Sequence, residues 1–244
     1  MSRYTLDFSP LLGYWDVFLH GALLTLQMTA LAVVAGVAVG VLVAFGKRGR
    51  NRALAWACTV YIEIVRNTPF LVQIFLFYFG LASFGVRMPT FTAAVLAMII
   101  NIAAYAAEII RAGLEAVPRG QIEAAECLGL PRWRIGWHVM LQPSIEKVYP
   151  ALTSQFLLMM QASAMASQIS AQELTAIANT VQSDTFRSLE TYLVVAALYI
   201  VLSLFIKGLS ALLGRAVFRR SRVVNQAHRL SRSTPAVATA GGAA

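Results

Sequence analysis

Charge is scarce in this sequence. Asp, Glu, Lys and Arg make up 13% of its 244 residues, about half of what a soluble globular domain carries. That shortfall excludes an ordinary water-soluble domain. Cysteine is almost missing: Cys58 and Cys127 are far apart and match no metal or redox spacing, so each reads as a small unpaired hydrophobe. The three histidines, His20, His138 and His228, lie in separate regions, and neither H-E-x-x-H nor a nucleophile elbow occurs. No catalytic residue and no metal site is expected, which argues against an integral-membrane enzyme. A G-x-x-x-x-G-K-[S/T] phosphate loop is also lacking. The N-terminal MSRYTLDFSPLLGYWD has neither the basic start nor the short apolar core of a cleaved leader, and none is expected.

What remains is mostly apolar. Hydrophobic residues make up 58% of the chain, and the mean hydropathy is +0.67. Runs of about 20 apolar residues predict an all-α polytopic membrane protein with about five transmembrane helices. They lie near 17–45, 57–82, 90–110, 148–168 and 190–214. Residues 1–16 read as an external segment, 17–215 as the membrane domain, and 216–244 as a basic tail. The basic part of that tail, AVFRRSRVVNQAHRLSR, suits anionic lipid headgroups. The closing STPAVATAGGAA has no pattern for burial and is expected to be disordered.

The net charge of +9 does not point to nucleic acid, because no basic helix or aromatic stacking motif accompanies it. The basic residues alternate between loop sets instead. Fifteen of the twenty fall in one set: Lys47, Arg48, Arg50 and Arg52; Arg111, Arg119, Arg132, Arg134 and Lys147; Arg215, Arg219, Arg220, Arg222, Arg229 and Arg232. The other set holds only Arg3, Arg87 and Arg187. By the positive-inside rule the N-terminus is outside and the C-terminus cytoplasmic.

Several local patterns stand out. Ala32, Gly36, Gly40 and Ala44 repeat every four residues, a small-residue stripe that lets another helix approach, first of all as plain packing. Asn101, Tyr105 and Glu108 share one face of the third span, as do Ser154, Leu158, Gln161, Met165 and Gln168 in the fourth. Polar groups at membrane depth are costly, so these faces are candidate linings of a substrate path, with interhelical hydrogen bonding as the plainer reading. Glu63 and Arg66 are spaced to pair on a helix, as are Glu108 and Arg111. A structural ion pair or gate is the first reading; a role for Arg66 on a substrate carboxylate is the sharper one.

Residues 118–143, PRGQIEAAECLGLPRWRIGWHVMLQP, form a charged loop between two spans. Pro118 suits the start of a short helix, Gly129 its end, and Pro131 the start of a second. This loop resembles the EAA loop of ABC-importer permeases through Glu123, Ala124, Ala125 and Gly129, then Val139 and Leu141. Gln142 stands where that motif has proline, and Pro143 follows one residue late.

The resemblance extends to the polar amino acid permease family over roughly residues 17–215. GALLTLQ at 21–27 is similar to its first-span signature, EIVRNTPFLVQ at 63–73 to its second, and AYAAEIIRAG at 104–113 to the run before the EAA loop. Phe186-Arg187 and Glu190-x-Tyr192 match the lead-in to its last span. The resemblance implies a type I ABC-importer permease in a bacterial inner membrane. Its expected partners are two ATPase subunits that bind ATP and Mg, a second permease subunit, identical or related, and an extracytoplasmic solute-binding protein. It implies no cofactor in this chain. Gln161-Ala162-Ser163 stands where the family shows Lys-Asp-Thr/Ser, so both charges are missing, and Gln161 and Ser163 join the path candidates as neutral groups. An opine or another amine-carboxylate is an alternative solute. A stand-alone channel or secondary transporter is a further one, although five spans are few for inverted repeats.

Overall fold

The computed structural model describes residues 5–217, and the tail expected to be basic and then disordered lies outside them from residue 218 onward. The described residues form helices and turns with no strand. Those up to Lys207 belong to one compact unit; a second begins at Gly208, and its described part is the end of the last helix.

A 3-10 turn (Ser9–Tyr14) leads into α1 (Trp15–Arg48). Its 34 residues span about 50 Å, more than the ~30 Å hydrocarbon core of a bilayer. The segment before it is tied down: the Asp7 N–H donates to Glu190 Oε1 at 3.1 Å, and Arg187 pairs with Asp7 and Glu190 at 3.7 and 3.4 Å. Hydrogen bonds from the Ser9 hydroxyl and N–H, reinforced by the Arg187 charge, hold the Asp7 carboxyl below its ordinary range.

Helix α2 (Arg52–Arg66) starts at Asn51, whose Oδ1 accepts from the N–H groups of Ala53 and Leu54 at 3.0 and 3.3 Å. It does not continue as the single span expected over 57–82. The chain turns by 108° before α3 (Phe70–Ser83), because Pro69 donates no hydrogen bond and steers Thr68 away from helical geometry. Gln73 repairs the break: its Nε2 donates to the Val65 and Thr68 carbonyls at 2.7 and 3.0 Å.

Helix α4 (Thr90–Glu115) is the buried centre of the fold, with Ala93, Ala97, Ala103, Ala104, Ala106 and Ala107 sealed from solvent. The small stripe of α1 lies on it. A Cβ on Gly36 would fall 2.7 Å from Ile102 Cγ2, and one on Gly40 would fall 2.9 Å from Ala106 Cβ. The stripe is therefore intramolecular packing.

Next come α5 (Arg119–Cys127), a turn at Arg132–Arg134 and a π-helical stretch at Ile135–Leu141 that runs straight into α6 (Gln142–Ala162). The second short helix expected in the loop is thus the start of α6. Its π turns precede Pro143, whose ring would clash with the carbonyl four residues back in a regular helix. Helix α6 then tightens into a 3-10 segment, Ser163–Ile169, where the Ser163 and Ser167 hydroxyls bond back to the carbonyls of Met160 and Ala164 at 2.7 Å each. The fourth expected span, 148–168, is α-helical only to Ala162.

An additional helix, α7 (Leu174–Thr185), occupies the stretch read as a connection at 169–189. Glu173 caps it, accepting from the Thr175 and Ala176 N–H groups at 2.9 and 2.7 Å. It docks where α1 has no side chain: a Cβ on Gly21 would lie 2.8 Å from Ile177 Cγ1. The last helix is α8 (Ser188–Val217).

Among the described residues, three helical segments are long and apolar enough to cross a membrane alone: Ser9–Arg48, Thr90–Glu115 and Ser188–Ala216. The bent pair α2 and α3 makes a fourth. Helix α6 falls short because Gln142, Glu146, Lys147, Ser154, Gln155 and Gln161 interrupt its apolar sequence. Large apolar side chains such as Leu31, Val34, Leu42, Ile200 and Val201 face outward, as lipid exposure requires.

Candidate functional site

The break between α2 and α3 opens onto a cavity of about 570 Å³. Arg66, Asn67, Thr68, Pro69 and Phe70 line it from the break, Asn101 and Tyr105 from α4, and Gln155, Leu158, Met159 and Ala162 from α6. Non-helical backbone at membrane depth is tolerated only where protein buries it or where it borders a water-filled cavity, and this break borders a cavity. The Arg66 guanidinium lies 5.4 Å from the centroid of the Tyr105 ring, a cation–π contact. Asn101 Nδ2 donates to Gln73 Oε1 at 2.9 Å, so one amide pair joins α4 to the repaired break.

The cavity carries one positive charge and no carboxylate. The expected Glu63–Arg66 pair does not form. Asn67 Nδ2 takes the Glu63 carboxylate instead, at 3.0 Å, and Arg66 has no acidic partner among the described residues. A guanidinium without an acidic partner can take a carboxylate through two parallel hydrogen bonds.

The structure brings together Arg66, Asn101 and Tyr105, and leaves the other path candidates elsewhere. Glu63 is exposed on α2. Glu108 pairs with Lys47 at 3.2 Å and with Arg111 at 2.5 Å, and Arg111 also reaches Glu115. The Glu108–Arg111 spacing therefore marks part of a four-charge network joining the C-terminal ends of α1 and α4. Gln161 is exposed on α6, and Ser163 is buried with its hydroxyl spent on Met160. Of the stripe Ser154, Leu158, Gln161, Met165 and Gln168, all exposed, only Leu158 borders the cavity. Thr68, Gln73 and Gln155 were missed as individual residues. The readable signal for the first two was the Asn-Thr-Pro string inside an apolar run, which marks a break.

The loop helix α5 is closed by two hydrogen bonds of a Schellman motif, Leu130 N–H to the Ala125 carbonyl at 3.2 Å and Gly129 N–H to the Glu126 carbonyl at 2.9 Å. Gly129 takes the left-handed conformation this needs, with φ of +69°. Glu123 and Ala124 are exposed, whereas Ala125 is buried against the body. Leu128 and Trp133, 79% and 66% exposed, flank the same helix end, an apolar patch on a loop otherwise rich in charge. The loop's stem is tight: a Cβ on Gly113 would lie 2.7 Å from Val148 Cγ1, so α4 and α6 pack closely where the loop leaves and rejoins the body.

Known proteins are similar to this chain in sequence and in fold. Residues 36–219 match the family described as binding-protein-dependent transport system inner membrane component. A protein of Rickettsia bellii named as a glutamine transport system permease is 32% identical over 214 residues, 87% of this chain and 97% of its own length. The arginine transport system permease protein ArtQ of Bacillus subtilis is 30% identical over 88% of this chain and 97% of its own. The octopine transport system permease protein OccM of Rhizobium radiobacter is 33% identical over 85% and 90%. Among solved structures, an amino acid ABC transporter crystallised with histidines superposes with a TM-score of 0.79 at 40% identity, covering 87% of this chain and 100% of that one. The inward-facing MetNI methionine transporter shares the fold at a TM-score of 0.69 and 23% identity, over 89% and 99%. The chain belongs to the family of binding-protein-dependent transport system inner membrane components, and its fold is that of a type I ABC-importer permease.

Proposed function

We propose that this chain forms the membrane path of an ATP-driven importer for a polar amino acid delivered by an extracytoplasmic binding protein. The observation that carries the reading is Arg66, unpaired over Tyr105 in a cavity free of acids at the helix break. The substrate carboxylate sits on the Arg66 guanidinium, and Asn101 and Gln155 offer amide groups to the polar remainder. With no carboxylate in the cavity wall, this subunit has no counter-charge for a cationic side chain. That favours a neutral, amide-like substrate, in keeping with relatives named for glutamine. An opine also presents a carboxylate, and the octopine relative supports it as a second reading.

The energy comes from outside the chain. Two ATPase subunits bind ATP and Mg, and α5 docks on them through Glu123, Ala124 and the patch around Leu128 and Trp133. A second permease subunit, identical or related, completes the path. The segregation of basic residues supports an N-terminus outside and an α5 loop in the cytoplasm, and the family supports a bacterial inner membrane.

The test is uptake by the complete transporter reconstituted in proteoliposomes. Arg66→Gln is expected to raise the KM for glutamine by roughly tenfold to a hundredfold, the loss of a charge-assisted hydrogen bond, while basal ATP hydrolysis persists. Arg66→Lys should fall between the two. An unchanged KM across a panel of amino acids and opines would remove Arg66 from the site.

A further inference from the structure

A second cavity, of about 530 Å³, lies between the end of α1, the loop helix α5 and the π turns before α6. Arg48, Arg50 and Arg132 stand exposed at its edge. Beneath them lie Phe45, Ile135 and Met140, half-buried or buried. Lys47, Arg111 and Arg187 all have carboxylate partners, but among the described residues these three arginines have none. Glu126, the one acid in the lining, forms no ion pair with them.

Three like charges bordering one cavity repel one another, an anion between them relieves that repulsion, and the guanidinium fork suits phosphate oxygens. A site for free phosphate has no use for an apolar floor, whereas a lipid does. We propose that this cavity holds the phosphate headgroup of an anionic phospholipid, with the first carbons of its acyl chains against Phe45 and Met140. The proposal rests on the reading above that this end of α1 faces the cytoplasmic leaflet, where basic clefts between helices meet anionic headgroups. Because Ile122 and Glu126 of α5 line the same cavity, a bound headgroup braces the docking helix against the membrane surface. Lipid composition then sets how firmly that helix is held.

The experiment uses the full chain, purified in mild detergent with whatever subunits accompany it. It is placed in phosphatidylcholine nanodiscs containing graded phosphatidylglycerol, and retained lipid is read by native mass spectrometry. Wild type is expected to retain phosphatidylglycerol over phosphatidylcholine. Each arginine contributes about fivefold in affinity, from roughly 1 kcal/mol per basic residue near an anionic surface. R48Q/R50Q/R132Q should therefore lose about a hundredfold, and each single variant about fivefold. R119Q/R134Q removes two nearby arginines that do not line the cavity and should retain the lipid as wild type does. Glu126→Gln, which removes the one repelling charge, should strengthen retention.

Equal retention by the triple variant overturns the site. So does an equal loss in R119Q/R134Q, which would mean a diffuse charge effect. Displacement of the lipid by millimolar inorganic phosphate overturns the lipid assignment in favour of a soluble anion. The single variants keep the test open should the triple variant fold poorly. Lipid retention is measured without transport, so a failed importer reading and a failed lipid site are distinguishable.

Discussion

Gly40 sits where one added carbon would come within 2.9 Å of Ala106 Cβ and 3.0 Å of the Ala103 carbonyl. Neither neighbour is a flexible side-chain end that can swing aside. Gly40→Val is expected to cost about 2 kcal/mol, in the usual range for overpacking, read as a lower unfolding temperature in detergent. Gly80→Val meets nothing within 4 Å and serves as the comparison. Equal destabilisation of the two would mean that helix propensity, not the α1–α4 approach, sets the cost. Arg66 shows the converse: it borders a cavity and has no acidic partner among the described residues, which is why the proposed substrate contact falls to it.

Two of the departures from regular helix geometry trace to single residues. The α2–α3 break follows from Pro69 and is held by Gln73, which satisfies the carbonyls that the lost helix turn exposes. Helix α5 ends where Gly129 adopts a conformation that costs other residues about 1–2 kcal/mol. Gly129→Val should leave membrane insertion and the partner subunits' ATP hydrolysis intact while uptake falls well below wild type. The comparison is ATP hydrolysed per substrate imported, in proteoliposomes. Normal uptake by this variant would sink the docking role given to α5.

At the scale of the whole molecule, the network at the ends of α1 and α4 offers a third test. Lys47→Gln, Glu108→Gln and the double variant form a cycle, with an expected coupling of about 1 kcal/mol in stability. Strict additivity would mean that the Lys47–Glu108 contact at 3.2 Å holds nothing. Much of this architecture was legible in the sequence, because α1, α4 and α8 are long apolar runs and lipid leaves a helix little alternative. Helix α7 was hidden: twelve residues with a half-polar surface look like any connection until Gly21 gives them a place to dock. The break in α2–α3 was written as Asn-Thr-Pro but masked by the apolar residues on both sides. Spacing put Glu63 within reach of Arg66, yet the turn at 67–69 brought Asn67 to the carboxylate first. Proximity along a helix names possible partners and does not choose among them.

The α1–α4 seam also has a kinematic consequence. Two helices keyed together at Ala32, Gly36, Gly40 and Ala44 and clamped at one end by charge have no coordinate along which to slide. Any movement of one is expected to carry the other with it. The compliance that lets a passage open must then reside in the wide turns before Pro143, the tight ones after Ala162 and the bend at 67–69, and the last two of these adjoin the residues that line the cavity.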